Sequence, residues 1–207
     1  SYYSKLVLIV SFVSMPLVVY LGICSRNIIY LLLGEKWIPA SSIFQILAVT
    51  AFIQPSSSTM GVVMLSLGQS GRFLRYGVFS GIAIVTSFFI GIKWGAKGVA
   101  GAYAIVTYLI LFPSLWYCFR KTPVSLALFF KSIFRPLIAS LIMGLVTFTA
   151  YRFMRDMYDI IVILSCFVIG LIVYVLVWIL MPGGLNTLKD LYGWVVVLFS
   201  RQKEKTK

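Results

Sequence analysis

The chain has 207 residues, 61% of them hydrophobic and 11% charged, with a mean hydropathy of +1.02. A soluble domain of this size could not cover so much apolar surface, and that excludes a water-soluble fold. The net charge of +13 is not a nucleic-acid footprint, because the cations collect at the ends of apolar stretches and no basic run is interleaved with aromatics.

Six stretches are long and apolar enough to cross a bilayer as helices: Leu6–Cys24, Ile43–Leu67, Tyr76–Ile92, Val99–Cys118, Leu137–Met154 and Ile160–Met181. Only Arg152 intrudes, at a helix end from which it can snorkel. The stretches are apolar on all faces rather than alternating, which predicts an all-α integral membrane protein and not a β-barrel. The opening Ser1-Tyr2-Tyr3-Ser4-Lys5 has neither an initiator Met nor a signal-peptide pattern, so the chain is expected to be the C-terminal part of a longer protein.

Span one carries Pro16, expected to kink it. A short apolar piece follows, ending in Gly34-Glu35-Lys36-Trp37, with Gly34 as a helix C-cap and Trp37 placed for the interface. Span two is the most polar. It holds Gln45, Gln54, Pro55, Ser56, Ser57, Ser58 and Thr59. Two readings stay open: a bend facing a water-filled cavity, with Gln45, Gln54, Ser56, Ser57 and Thr59 lining a polar path, or a proline kink satisfied by neighbouring helices.

After the tight turn Gly68-Gln69-Ser70-Gly71-Arg72, span three carries the GxxxG pair Gly77 and Gly81, and span four opens with Gly98, Ala100 and Gly101. These small residues predict a close hairpin around Trp94-Gly95-Ala96-Lys97. The stretch 119–135 reads as an amphipathic cytoplasmic loop, with Pro136 opening span five in a favoured first-turn position. Beyond Pro182, apolar residues at helical spacing predict an interfacial helix and a basic tail over 182–207.

Six spans place both termini on one side. Twelve of the 18 Lys and Arg residues then share that side; Arg26, Lys36, Lys93, Lys97, Arg152 and Arg155 lie opposite. This bias predicts cytoplasmic ends.

The chemistry of an enzyme is missing. The chain has no His, its spans hold no carboxylate, and it contains no Walker A, HExxH, GxSxG or CxxC motif. No metal or cofactor is expected. Cys24, Cys118 and Cys166 read as small apolar packing residues.

The run Ile29-Tyr30-Leu31-Leu32-Leu33-Gly34-Glu35-Lys36-Trp37, followed by Ile43-Phe44-Gln45-Ile46-Leu47, then Leu65-Ser66-Leu67-Gly68-Gln69-Ser70-Gly71-Arg72 and Gly95-Ala96-Lys97-Gly98-Val99-Ala100, resembles the C-terminal half of Wzx-like polysaccharide flippases. These are O-antigen, colanic-acid and teichuronic-acid exporters of the multidrug/oligosaccharidyl-lipid/polysaccharide (MOP) superfamily. The resemblance covers about 16–117. It implies a MATE-like architecture of two lobes around a cavity, in which 1–118 supplies four helices of the second lobe and 136–181 two extra C-terminal helices. The missing N-terminal lobe of the same protein would be the chief partner.

The implied function is movement of undecaprenyl-pyrophosphate-linked oligosaccharide across the bacterial inner membrane, from the cytoplasmic to the periplasmic leaflet. Membrane lipid and polysaccharide polymerase machinery are implied partners. Arg72 and Arg75 would contact the pyrophosphate at the cytoplasmic mouth, or serve as topological anchors. A drug or metabolite antiporter of the same superfamily, and a non-transporting membrane scaffold, remain the alternatives.

Overall fold

The computed structural model describes residues 2–120, 122, 125–154, 157–182, 184 and 187. Among them every regular element is helical: α1 Tyr2–Ile23, α2 Ser25–Leu33, α3 Ala40–Ser66, α4 Ser70–Gly91, α5 Gly95–Phe119, α6 Leu126–Phe153 and α7 Asp159–Leu180, with single 3₁₀ turns at Glu35–Trp37 and Ile92–Trp94. Five helical stretches of the described residues are long and apolar enough to cross a bilayer, one of them the 50-residue run Ser70–Phe119. That run is α4 and α5 folded back on each other, since Arg72 near its start meets Tyr117 near its end. Helices α1, α3, α4, α5, α6 and α7 therefore match the six predicted spans, and the chain is an all-α integral membrane protein.

The helices pack as a row. α4 lies on α5, α5 on α3, α3 on α1, α1 on α6 and α6 on α7, while the short α2 reaches α7 and α3. The row curls at the end that holds the start of α1. There Tyr3 packs edge-on to Phe119, with ring centroids 5.7 Å apart, and Phe119 tilts against Phe129 at 6.1 Å, so α5 and α6 meet below α1. Val7, Met64, Leu115, Cys118 and Ile133 complete this buried cluster. A second cluster joins Ala139, Met143, Tyr174 and Trp178. A third, at the opposite end, joins Cys24, Val162 and Cys166. All three cysteines are buried.

The predicted hairpin forms, and of the glycines expected to pack it Gly98 does so, whereas Gly77, Gly81 and Gly101 do not. A Cβ on Gly98 would lie 2.4 Å from the Gly91 carbonyl oxygen, and one on Gly91 would lie 2.7 Å from Val99 Cα. Backbone meets backbone there, and Gly95 makes the turn with φ +67°. Gly77, Gly81 and Gly101 have nothing within 4 Å of their Cβ positions. The GxxxG pair of α4 is thus open, whereas the working glycines sit seven residues apart around the turn.

The expected break at Pro136 is also absent. α6 starts at Leu126 and runs through Pro136 to Phe153. The Ser125 side chain caps it by accepting from the Leu128 N–H at 3.2 Å. Proline removes one donor in mid-helix, but Pro136 is buried among neighbouring helices, and membrane helices tolerate that loss. What reads as a loop over 119–135 is helical from Leu126 onward, with Phe129, Ser132 and Ile133 buried and Phe130 and Phe134 exposed. The predicted interfacial helix and basic tail lie outside the described residues, apart from Pro182, Gly184 and Thr187.

Candidate functional site

A bilayer offers helices no hydrophobic reason to separate from lipid, so packing contacts and buried polar groups decide their arrangement. The polar residues of α3 show both uses. Pro55 sits inside the helix. The hydroxyls after it turn back on carbonyls three residues earlier: Ser57 on Gln54 at 3.0 Å, Ser58 on Pro55 at 2.7 Å and Thr59 on Ser56 at 2.6 Å. Ser56 is fully buried and shares a hydrogen bond with Ser11 of α1 at 2.7 Å. Thr59 is buried and meets the Tyr3 hydroxyl at 3.1 Å. Both lie in the zone where α5 and α6 close under α1.

Gln45 and Gln54 are nine residues apart, which puts them about half a turn apart on α3. Gln54 is exposed and donates to Tyr103 of α5 at 3.1 Å. Gln45 opens onto a cleft. The five residues expected to share one path are therefore divided: Gln45 at the cleft, Ser56 and Thr59 on the same side but sealed against α1, Gln54 turned away, and Ser57 half-buried between.

The cleft has a volume of about 580 Å³ and lies between α1, α3, α5 and α6. Its walls are apolar, with Val18, Val19, Phe52, Leu141 and Phe148. Its polar groups are Arg26, Ser41, Gln45, Tyr108 and Tyr151. Gly22 lets α1 approach α3 here, with the position of its Cβ 3.3 Å from that of Ala48. Tyr108 donates to the Val49 carbonyl at 2.6 Å, which ties α5 to α3 along the wall.

Arg26 and Tyr151 also line a second, polar pocket of about 390 Å³, together with Asn27, Tyr30, Glu35, Ile38 and Asp159. Asn27 is its hub. Its side-chain carbonyl accepts from the Tyr151 hydroxyl at 2.9 Å, and its amide donates to Asp159 at 2.5 Å. One buried amide thus joins α2, α6 and α7. Sequence reasoning missed Arg26, Asn27, Tyr108 and Tyr151. The available signal was the phenol in an apolar span, since a buried tyrosine hydroxyl needs a partner.

Arg72 and Arg75 part company. The Arg72 guanidinium donates to the Gln69 side chain and to the Tyr117 carbonyl in the last turn of α5, and lies 4.9 Å from the Tyr117 ring centroid. That fastens the open end of the α4–α5 hairpin and places a cation at a helix C-terminus. Arg75 is exposed and stands beside a separate cleft between α4 and α5. Among the described residues no group of three or more His, Cys, Asp or Glu could hold a metal ion.

Two known proteins match this chain. It is 27% identical over 144 residues to the teichuronic acid biosynthesis protein TuaB of Bacillus subtilis, a match covering 66% of the chain and 28% of that protein. It is 24% identical over 151 residues to the lipopolysaccharide biosynthesis protein WzxC of Escherichia coli, covering 69% of the chain and 31% of that protein. The chain thus spans less than a third of the length of either relative. No protein-family model and no solved structure matches it. The resemblance to Wzx-like polysaccharide exporters, read from the runs 29–37, 43–47, 65–72 and 95–100, is borne out by these matches.

Proposed function

We propose that this chain is part of a transporter that moves a lipid-linked oligosaccharide from the cytoplasmic to the outer leaflet of a bacterial inner membrane. The observation that carries the reading is the cleft beside Gln45. Its apolar walls suit the lipid part of such a substrate. Its polar lining, continuous through Arg26 and Tyr151 with the Asn27 pocket, suits a hydroxyl-rich headgroup. A chemically mixed passage within apolar helices is what an amphipathic cargo requires. The similarity to proteins of teichuronic acid and lipopolysaccharide synthesis supports the same reading.

On this reading the end holding Arg26 and Glu35 faces outward, as the cation bias implies. The cleft is open toward that end. It is shut at the cytoplasmic end by Ser11–Ser56, Tyr3–Thr59 and the Tyr3–Phe119–Phe129 aromatic stack. Ser56 and Thr59 then belong to the passage as its closed portion, and transport requires those contacts to part. A pyrophosphate role for Arg72 is not part of the reading, because its guanidinium is engaged in closing the hairpin.

The test is made in the natural-length protein that contains the chain. Gln45→Trp fills the cleft and is expected to abolish surface polymer at normal protein level, while Gln54→Trp, on the opposite side of α3, keeps most of it. Unchanged polymer with Gln45→Trp at full expression refutes the passage. Lost drug resistance with intact polymer favours an antiporter instead.

A further inference from the structure

α4 and α5 touch backbone to backbone at Gly91–Gly98, and near their other ends Arg72 bridges them to Tyr117. A cleft of about 370 Å³ opens there, lined by Tyr76, Phe79, Pro113, Trp116 and Tyr117, with Arg75 at its edge. It shares no residue with the Gln45 cleft. Phe79 and Trp116 are both at least half exposed, so the cleft opens on the surface of the described helices.

Its electrostatics are one-sided. Arg75 makes no hydrogen bond or ion pair with any described residue. One turn beyond the lining residue Trp116, the Arg120 guanidinium lies over its ring, 5.1 Å from the centroid. Stacking orients that guanidinium and leaves its N–H edge available for an anion. The carboxylates of the described residues, Glu35 and Asp159, both belong to the polar pocket at the opposite end of the molecule. One guanidinium at the edge of the aromatic cleft and a second stacked on a ring that lines it thus have no described counter-charge.

We propose that this cleft binds an anionic diacyl phospholipid of the phosphatidylglycerol type. Its phosphodiester sits between Arg75 and Arg120, and one acyl chain lies along Tyr76, Phe79 and Pro113. A free phosphate ion would gain the charge contact but nothing from the apolar walls. A zwitterionic lipid would gain the walls but bring its own cation to two arginines. Only an anionic lipid uses both. Trp116 marks the headgroup depth, where indole rings concentrate. The proposal does not depend on the transport reading above.

Native mass spectrometry of the natural-length protein, titrated with phosphatidylglycerol and phosphatidylcholine, tests it. Retention of phosphatidylglycerol at least roughly tenfold tighter than phosphatidylcholine is expected. The double variant Arg75→Gln, Arg120→Gln loses roughly thirtyfold in that affinity, from two cation contacts. Arg152→Gln, at the other end, leaves it unchanged. Elution of the double variant as a single folded species guards against misfolding. Equal binding of both lipids, or no loss in the double variant, overturns the site. Competition by inorganic phosphate alone would assign it to a free anion. Displacement by undecaprenyl pyrophosphate at equal concentration would assign it to the transport substrate, and either outcome refutes the lipid proposal.

Discussion

The α4–α5 hairpin and the α1–α3–α6 group solve one problem in two ways. Both must hold helices together where lipid competes for every apolar contact. The hairpin does it by proximity: Gly91 and Gly98 remove side chains so that two backbones meet, and Arg72 fastens the far end. The α1 group does it with buried polar pairs, Ser11 with Ser56 and Tyr3 with Thr59, and with Asn27 joining α2, α6 and α7. The first device leaves no room for a side chain between the two backbones. The second is made of hydrogen bonds that can be exchanged for others, which suits the part of the molecule that borders the cleft.

The contrast can be broken most severely at the hairpin. Gly98→Leu forces a side chain onto the Gly91 carbonyl and the Trp94 side chain. It is expected to cost about 3 kcal/mol or more, at the top of the overpacking range. The thermal unfolding midpoint in detergent should fall accordingly, and a midpoint within error of the parent would show that the backbones do not touch. A smaller effect is expected at Asn27. Asn27→Leu removes the hydrogen bonds that Asn27 makes with Tyr151 and Asp159 and should destabilise by about 1–3 kcal/mol. Combining it with Tyr151→Phe should recover part of that loss, whereas strictly additive losses would separate the two residues. The smallest effect belongs to the open glycines. Gly77→Ala and Gly81→Ala should each change stability by no more than about 1 kcal/mol, in the favourable direction where helix propensity dominates. A loss near that of Gly98→Leu would reveal a helix seated on that face.

Much of this was legible in the residues. Six uncharged stretches define the spans because a buried charge in hydrocarbon is costly whatever its neighbours. The hairpin turn at Gly95 is local and readable for the same reason. The rest depends on partners far along the chain. Asn27 looks like an ordinary loop residue until Tyr151 and Asp159, more than 120 residues away, are brought to it. Gly77 and Gly81 match the GxxxG motif and Gly91 and Gly98, seven residues apart across the turn, do not, yet it is the second pair that meets backbone to backbone. On α3, a helical wheel places Gln45 and Ser56 on one side. It cannot show that one ends in open space and the other against Ser11. Pro136 misled because a proline near a charged stretch suits a helix start as well as it suits an interior position held by neighbours.

The unbroken run of α6 has a mechanical side. At 28 residues it is about 42 Å long, against a hydrocarbon slab of about 30 Å, so roughly two turns must stand clear of the oil or the rod must lean. Arg135 on that rod grips the Pro182 carbonyl at 2.9 Å and the Thr187 hydroxyl at 3.0 Å. Farther along, Gly144 lets Val19 of α1 press against its backbone. A lever gripped at both points cannot lean alone: any change in its tilt drags α1, one wall of the passage, together with the segment that follows α7.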